Sequence, residues 1–116
     1  MTKVLLVEDT MTEATMIMGA LRSAGIEITQ VGSSEEAKEK LSEVNPDLVL
    51  MDVVLPGESG FELCREIKES SDIPVIICST KDSEMDKFWG MKQGAVAYLT
   101  KPVNSEELVK TVQLYT

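Results

Sequence analysis

The chain has 116 residues, enough for one domain with a single hydrophobic core, and its composition of 43% hydrophobic and 27% charged residues is ordinary for a globular protein. Its formal net charge of −9 argues against direct nucleic-acid binding, which depends on Lys and Arg contacts to phosphates. The sequence contains no apolar run near the roughly 20 residues of a membrane span and no signal peptide, so we expect a cytoplasmic protein without membrane insertion.

Short apolar strands and amphipathic helices alternate five times, which is typical of a parallel sheet covered by helices on both faces. The strands are predicted at about residues 3–7, 27–31, 47–51, 75–78 and 95–99. The helices are predicted at about 11–24, between Ser33 and Asn45, from Ser59 onward, at about 82–93 and at about 104–115. The second strand alternates apolar and polar side chains, which indicates the edge of the sheet.

Three pairs of residues have the spacing of a capping box, in which a hydroxyl and an acid three residues later exchange hydrogen bonds at a helix start. The pairs are Thr10 with Glu13, Ser33 with Glu36, and Ser59 with Glu62. Each pair precedes one of the first three predicted helices.

Reactive polar groups follow four of the five predicted strands. They are Glu8-Asp9, Asp52, Ser79-Thr80 and Lys101-Pro102. Ligands of an open α/β sheet bind beyond the carboxyl ends of the strands, so we expect these groups to converge. Ionised carboxylates ~5 Å apart repel by about 3 kcal/mol per pair at an effective dielectric of ~20, which favours a cation among them. Carboxylate oxygens suit Mg²⁺.

These groups also have plainer interpretations. An acid after a strand is often a turn residue or a helix cap, and Lys101 taken alone would be a solvated surface lysine. Two acidic sites at adjacent strand ends, opposite a lysine held by a proline turn, favour phosphoryl chemistry with Asp52 as the nucleophile. The sequence contains no histidine, which excludes phosphohistidine carriage. Cys64 and Cys78 are expected to be small buried hydrophobic residues.

Taken together, these motifs resemble the receiver domain of two-component response regulators along nearly the whole chain. The matching motifs are Val7-Glu8-Asp9, Met51-Asp52, Leu55-Pro56-Gly57, Gly60, Ser79-Thr80, Gly94-Ala95, Tyr98 and Lys101-Pro102. The resemblance implies a flavodoxin-like α/β fold, a doubly wound five-stranded parallel sheet of order 2-1-3-4-5. We expect residues 1–116 to form a single receiver domain without an output domain.

The resemblance also implies the roles of the acids. Asp52 would be the phosphoacceptor and, with Asp9, a direct ligand of Mg²⁺, for which Mn²⁺ can substitute. Glu8 stands where the family often has Asp and would act partly through water. The main-chain carbonyl of Val54 would complete the protein ligands. The Lys101-Pro102 bond would be cis, with the lysine near the phosphoryl group.

Further residues are assigned to the switch by the same resemblance. Ser79 would donate a hydrogen bond to the phosphoryl group, and Tyr98 would be the aromatic residue that turns in response. Thr80 stands where the family usually has Ala or Gly, and we expect Val54, Thr80 and Lys81 to tune the lifetime of the phosphorylated state. The plainer interpretation of Tyr98 is an ordinary half-buried strand tyrosine.

The surface formed by the fourth helix, the fifth strand and the last helix is the predicted output surface, with Lys87, Met91 and Tyr98 on it. The segment 80–95 resembles receivers of type IV pilus twitching-motility and phototaxis systems. The helical spacing of Met85, Phe88 and Trp89 nevertheless favours packing of these side chains against the sheet, with Met91 facing outward.

The expected function is therefore that of a monomeric signalling phosphoacceptor rather than an enzyme, catalysing only its own phosphorylation and dephosphorylation. Its expected partners are a sensor histidine kinase or phosphotransfer protein and a downstream target protein. Three alternatives are a flavin carrier, a metal-dependent phosphatase or mutase, and a docking module with a vestigial site. Glu8 and Asp9 would repel a flavin phosphate, and Val54 stands where such phosphatases usually carry a second acid.

Overall fold

The computed structural model describes all residues from Met1 to Thr116, and strands alternate with helices throughout. The strands are β1 (Lys3–Val7), β2 (Glu27–Val31), β3 (Leu48–Met51), β4 (Val75–Ser79) and β5 (Ala97–Thr100). The helices are α1 (Met11–Ser23), α2 (Ser34–Val44), α3 (Gly60–Ser70), α4 (Glu84–Lys92) and α5 (Ser105–Leu114). All pairings are parallel, in the order β2-β1-β3-β4-β5, so the predicted fold class is confirmed.

Alternation along the strands produces two separate cores, one on each face of the sheet. On one face, Leu6, Leu50 and Ile76 belong to a cluster that includes the buried residues of α1 and α5. On the other face, Leu5 and Val49 belong to a cluster that includes the buried residues of α2 and α3. The central strands are buried on both faces, whereas β2 lies at an edge as its alternation predicts. No helix combines the length and apolar character needed to cross a membrane.

The helix starts differ from the predicted capping boxes. Ser33 and Ser59 each accept a hydrogen bond from the amide three residues later, but neither bond is reciprocated as predicted. The Thr10 side chain makes no capping bond, and the prediction at that helix was wrong. The one complete capping box joins Ser83 and Asp86, which is why α4 begins at Glu84 instead of residue 82.

The orientation of α4 corrects a second prediction. Phe88 and Trp89 are 61% and 52% exposed, so they do not pack against the sheet. The residue that faces the sheet is Gly90, where an added Cβ would lie 2.9 Å from side-chain atoms of both Ile77 and Tyr98. This close approach of the helix backbone leaves Phe88 and Trp89 pointing away from the sheet. Met91 is exposed, as expected.

Candidate functional site

The site lies where the carboxyl ends of β1, β3, β4 and β5 meet. Glu8 follows β1 and Asp52 follows β3, and these strands are paired with Val7 opposite Met51. The Asp52 amide donates to the carbonyl of Val7 at 3.0 Å. Both acids are buried, although side chains of their type rarely are unless they are paired.

Lys101 provides the pairing. Its Nζ atom donates to a carboxylate oxygen of Glu8, to Oδ2 of Asp52 at 2.9 Å and to Oε2 of Glu13 at 3.0 Å. The lysine side chain is only 6% exposed. Because a buried charge without a partner costs several kcal/mol, these contacts are what permit both Glu8 and Lys101 to stay inside.

For both Glu8 and Lys101, burial disfavours the charged form of the side chain and the hydrogen bonds favour it. Burial raises the pKa of Glu8 above its usual range, although the hydrogen bond and charge of Lys101 act in the other direction. Burial alone would lower the pKa of Lys101, but hydrogen bonds to Glu8, Asp52 and Glu13 outweigh it and the pKa is raised. The lysine is therefore held charged at neutral pH.

Glu13 is a site residue that the sequence analysis missed. It lies in the first turn of α1, where the spacing from Thr10 suggested a helix cap. Its side chain instead turns toward Lys101, and oxygens of Glu8, Glu13 and Asp52 lie within 4.8 Å of one another. The signal that could have found it is its position in the first turn of α1, directly after the loop that carries Glu8.

The two oxygens of Asp52 have different partners. Oδ2 accepts from Lys101, while Oδ1 accepts from the main-chain N–H of Val54 at 3.1 Å. The Val54 side chain is 53% exposed at the rim. Asp9 is exposed and lies outside the cluster of mutually close carboxylates. The site thus holds the predicted Glu8, Asp52 and Lys101 together, with Asp9 and Val54 at its edge.

The donor set fits a divalent metal ion. Glu8, Glu13 and Asp52 would carry three negative charges when ionised, and Lys101 supplies one positive charge against them. Such an excess of hard carboxylate oxygens suits Mg²⁺, which prefers oxygen ligands and commonly binds through one or two carboxylates.

Ser79 and Tyr98 are connected through the main chain of Lys81. The buried Ser79 hydroxyl oxygen accepts from the Lys81 N–H at 3.2 Å, and the Tyr98 hydroxyl donates to the Lys81 carbonyl at 2.6 Å. Burial, followed by the charge of Asp86, raises the pKa of Tyr98 to about 12. The side chains of Thr80 and Lys81 themselves are exposed.

Local backbone features position these groups. The Lys101-Pro102 peptide bond is cis, as the family resemblance implies, and the Lys101 N–H donates to the Ser79 carbonyl at 2.9 Å. An added Cβ at Gly60 would lie 2.2 Å from the Asp52 carbonyl oxygen, so only glycine lets α3 begin so close to Asp52.

The two cysteines are buried and free, as predicted. Burial raises the pKa of Cys64 to about 11 and that of Cys78 to about 12. Neither thiol is therefore a thiolate at neutral pH, and both act as small core residues.

The larger surface cavity, about 630 Å³, lies between α1 and α5 and includes none of the acidic site residues. A second cavity, between α2 and α3, does not include them either. Neither cavity could hold a small substrate against Asp52, which argues against the phosphatase or mutase alternative.

Comparison with known proteins agrees with this geometry. Residues 4–113 match the family model described as the response regulator receiver domain. The chain belongs to this receiver family. Receiver domains accept phosphoryl groups from histidine kinases, bind Mg²⁺ at an acidic pocket and act as signalling phosphoacceptors rather than classical enzymes.

Three relatives illustrate the range of the family. The chain is 42% identical over 115 residues to protein PilH of Pseudomonas aeruginosa, covering 97% of this chain and 95% of PilH. It is 39% identical to the sensory transduction protein RegX3 of Mycolicibacterium smegmatis, of which it spans 50%. The BeF3-activated receiver domain of Klebsiella pneumoniae RstA superposes with a TM-score of 0.95 at 28% identity, covering 98% of this chain and 97% of that domain.

Proposed function

We propose that Asp52 of this receiver accepts a phosphoryl group from a sensor histidine kinase or phosphotransfer protein in a Mg²⁺-dependent reaction. The observation that carries the proposal is a buried Asp52 carboxylate with one oxygen held by the Val54 amide and the other by Lys101. A carboxylate oxygen attacks phosphorus, the bond from phosphorus to the donor nitrogen breaks, and its electron pair returns to the donor imidazole.

The metal-binding residues in this proposal are Asp9, Asp52 and the main-chain carbonyl of Val54, with Glu8 acting through water. Bound Mg²⁺, or Mn²⁺ in its place, would neutralise charge on the transferring phosphoryl group. Asp9 is exposed beside the buried acids, so its carboxylate is open to a metal ion arriving from solvent. Calorimetry should therefore show much weaker Mg²⁺ binding in Asp9→Asn, with Asp72→Asn as a control at a distant exposed acid.

Lys101 and Ser79 act on the phosphoryl oxygens. The ammonium group of Lys101 already contacts the Asp52 carboxylate and would transfer one hydrogen bond to the incoming group. The Ser79 hydroxyl oxygen accepts from the Lys81 amide, so its proton is free to be donated to a phosphoryl oxygen.

Movement of Ser79 toward the phosphoryl group would shift the main chain of Lys81 and so disturb the hydrogen bond of Tyr98. Ser79 and Tyr98 bond to the N–H and the carbonyl of the same residue. The Tyr98 ring also packs against Gly90 of α4, so its rotation would release that helix. The phosphorylated state would thus differ on the surface of α4, β5 and α5, which carries Lys87, Met91 and Tyr98.

We propose that a downstream protein binds this surface. Met85, Phe88, Trp89 and Met91 are all exposed on α4 and form a large apolar surface on a nine-residue helix. Lys87 and Lys92 accompany them, and the Lys92 ammonium lies 5.9 Å from the centre of the Phe88 ring. The partner segment should therefore present apolar side chains, since Glu84 and Asp86 balance the two lysines on the same helix. The similarity to PilH, together with the segment 80–95, supports a role in motility signalling.

Intact mass spectrometry after treatment with acetyl phosphate and Mg²⁺ tests the assignment of Asp52. Wild type and the control Asp72→Asn should each gain one phosphoryl group, and Asp52→Asn should gain none. Equal labelling of Asp52→Asn would place the acceptor elsewhere. No labelling of wild type would favour the docking module with a vestigial site.

A further inference from the structure

Glu13 is the third carboxylate that contacts the buried ammonium group of Lys101, and it is the one that lies on a helix. Its Oε2 atom lies 3.0 Å from Lys101 Nζ, and its side chain is 34% exposed, against 1% for Glu8 and 10% for Asp52. Glu13 is anchored on α1, whereas Glu8 and Asp52 follow β1 and β3. The three partners of Lys101 are therefore held by different elements.

Metal binding creates a conflict at this lysine. A divalent cation that engages Asp52 and approaches Glu8 competes with Lys101 for the same oxygens, and the two cations repel each other. The Lys101 ammonium cannot simply be left without a partner, because its side chain is only 6% exposed. It needs a carboxylate that the metal does not engage.

We propose that Glu13 is a positioning residue that holds the Lys101 ammonium while Mg²⁺ and then the phosphoryl group engage Asp52. The inference rests on the proposed Mg²⁺-dependent phosphorylation of Asp52 and adds to it a residue that the sequence motifs assigned only to a helix cap. Glu13 keeps the lysine within reach of the phosphoryl oxygens and lowers its competition with the metal for Asp52 and Glu8.

A different role for Glu13 would be direct metal ligation, since its oxygens lie within 4.8 Å of those of Glu8 and Asp52. The two roles make different predictions once Lys101 is removed. A positioning residue that acts through the lysine then keeps only the Coulomb attraction of its charge for the metal, while a metal ligand keeps its full effect. A double-mutant cycle on Mg²⁺ affinity therefore separates them.

The experiment is calorimetric titration of Mg²⁺ into wild type, Glu13→Gln, Lys101→Met and the double variant. Glu13→Gln should weaken Mg²⁺ binding about 3- to 10-fold, because Lys101 then competes for the two remaining carboxylates. In the Lys101→Met background the same change should weaken binding by a clearly smaller factor, because only the Coulomb attraction between Glu13 and the metal is then lost. Glu106→Gln is the matched control, since Glu106 is an exposed acid in the first turn of α5 at the same edge of the sheet.

An unchanged affinity in Glu13→Gln would overturn the proposal, and so would an equal loss in both backgrounds, which would make Glu13 a ligand. Lys101→Gln, which keeps a long polar side chain, replaces Lys101→Met if the latter does not fold. Phosphoryl labelling of wild type, measured in parallel, distinguishes failure of the proposed function from failure of the role of Glu13. Failure of labelling rejects the proposed function, whereas successful labelling without coupling between Glu13 and Lys101 rejects only the role of Glu13.

Discussion

The Nζ atom of Lys101 lies 2.9 Å from Oδ2 of Asp52, although the residues are 49 positions apart and follow strands that are not neighbours. β4 lies between β3 and β5, and the lysine side chain reaches past its end to the acid. This contact connects the acid that follows β3 with the lysine that follows β5. It also places a fixed positive charge where negative charge would develop in the proposed phosphoryl transfer.

Removal of the Lys101 charge should destabilise the protein. Lys101→Met leaves the buried Glu8 carboxylate without its cation, and we expect a loss of about 3 kcal/mol in the free energy of unfolding at neutral pH. Urea denaturation of wild type and the variant measures the difference. Lys110→Met, at an exposed lysine, is the control. A loss below about 1 kcal/mol would mean that the contact is worth no more than a surface ion pair.

The phenol of Tyr98 should titrate about 2 pH units above its ordinary value of 10.0, because burial raises its pKa to about 12. The Tyr115→Phe variant leaves Tyr98 as the only tyrosine, and its tyrosinate absorbance reports the transition. The raised pKa stabilises the fold fully below pH 10, and this contribution is lost as pH rises through 12. Wild type should therefore lose more stability than Tyr98→Phe over this interval. A transition near pH 10 would show that the hydroxyl is not desolvated.

The lifetime of the phosphorylated state should respond to Val54. Its side chain is exposed at the rim beside Asp52, and an apolar group cannot orient the water that attacks the acyl phosphate. Val54→Asn should therefore accelerate dephosphorylation several-fold, measured by loss of the added phosphoryl mass with time. Leu114→Asn, at a distant exposed position, should leave the rate unchanged. An unaltered rate in Val54→Asn would show that Val54 does not control the hydrolysis of the acyl phosphate.

Beryllofluoride should alter the amide shifts of residues 83–100 as well as those around Asp52. The expected route runs from Ser79 through Lys81 to Tyr98 and α4. Amide shift mapping with and without beryllofluoride and Mg²⁺ measures the effect, and Asp52→Asn is the control that should not respond. Perturbations confined to the Asp52 pocket would contradict the proposed output surface.

The family resemblance supplied the sheet order, and the sequence pattern itself was sufficient for the strands and for the acids Glu8 and Asp52 at the edge of the sheet. Strand periodicity and polar groups at strand ends are local signals, and they located Glu8, Asp52 and Lys101 correctly beside one another. Glu13 was missed because a carboxylate three residues after Thr10 has the same spacing whether it caps a helix or reaches a distant lysine. Only the tertiary structure distinguishes these possibilities.

The prediction of which face of α4 is buried was wrong for a related reason. Apolar periodicity pointed to Met85, Phe88 and Trp89 as the buried side, but a glycine has no side chain to register in such a pattern. The helix approaches the sheet through Gly90, and the large side chains are left exposed. Close backbone packing at a glycine is a property of the assembled fold that hydrophobic spacing does not detect.

The hydrogen bonds of Ser79 and Tyr98 to Lys81 use only the peptide atoms of that residue. Its side chain projects into solvent and takes no part in either bond. Nearly any amino acid at this position would thus preserve both bonds, while proline alone would remove the N–H donor. A change of side chain at position 81 could therefore alter the lifetime of the phosphorylated state while leaving these two hydrogen bonds in place.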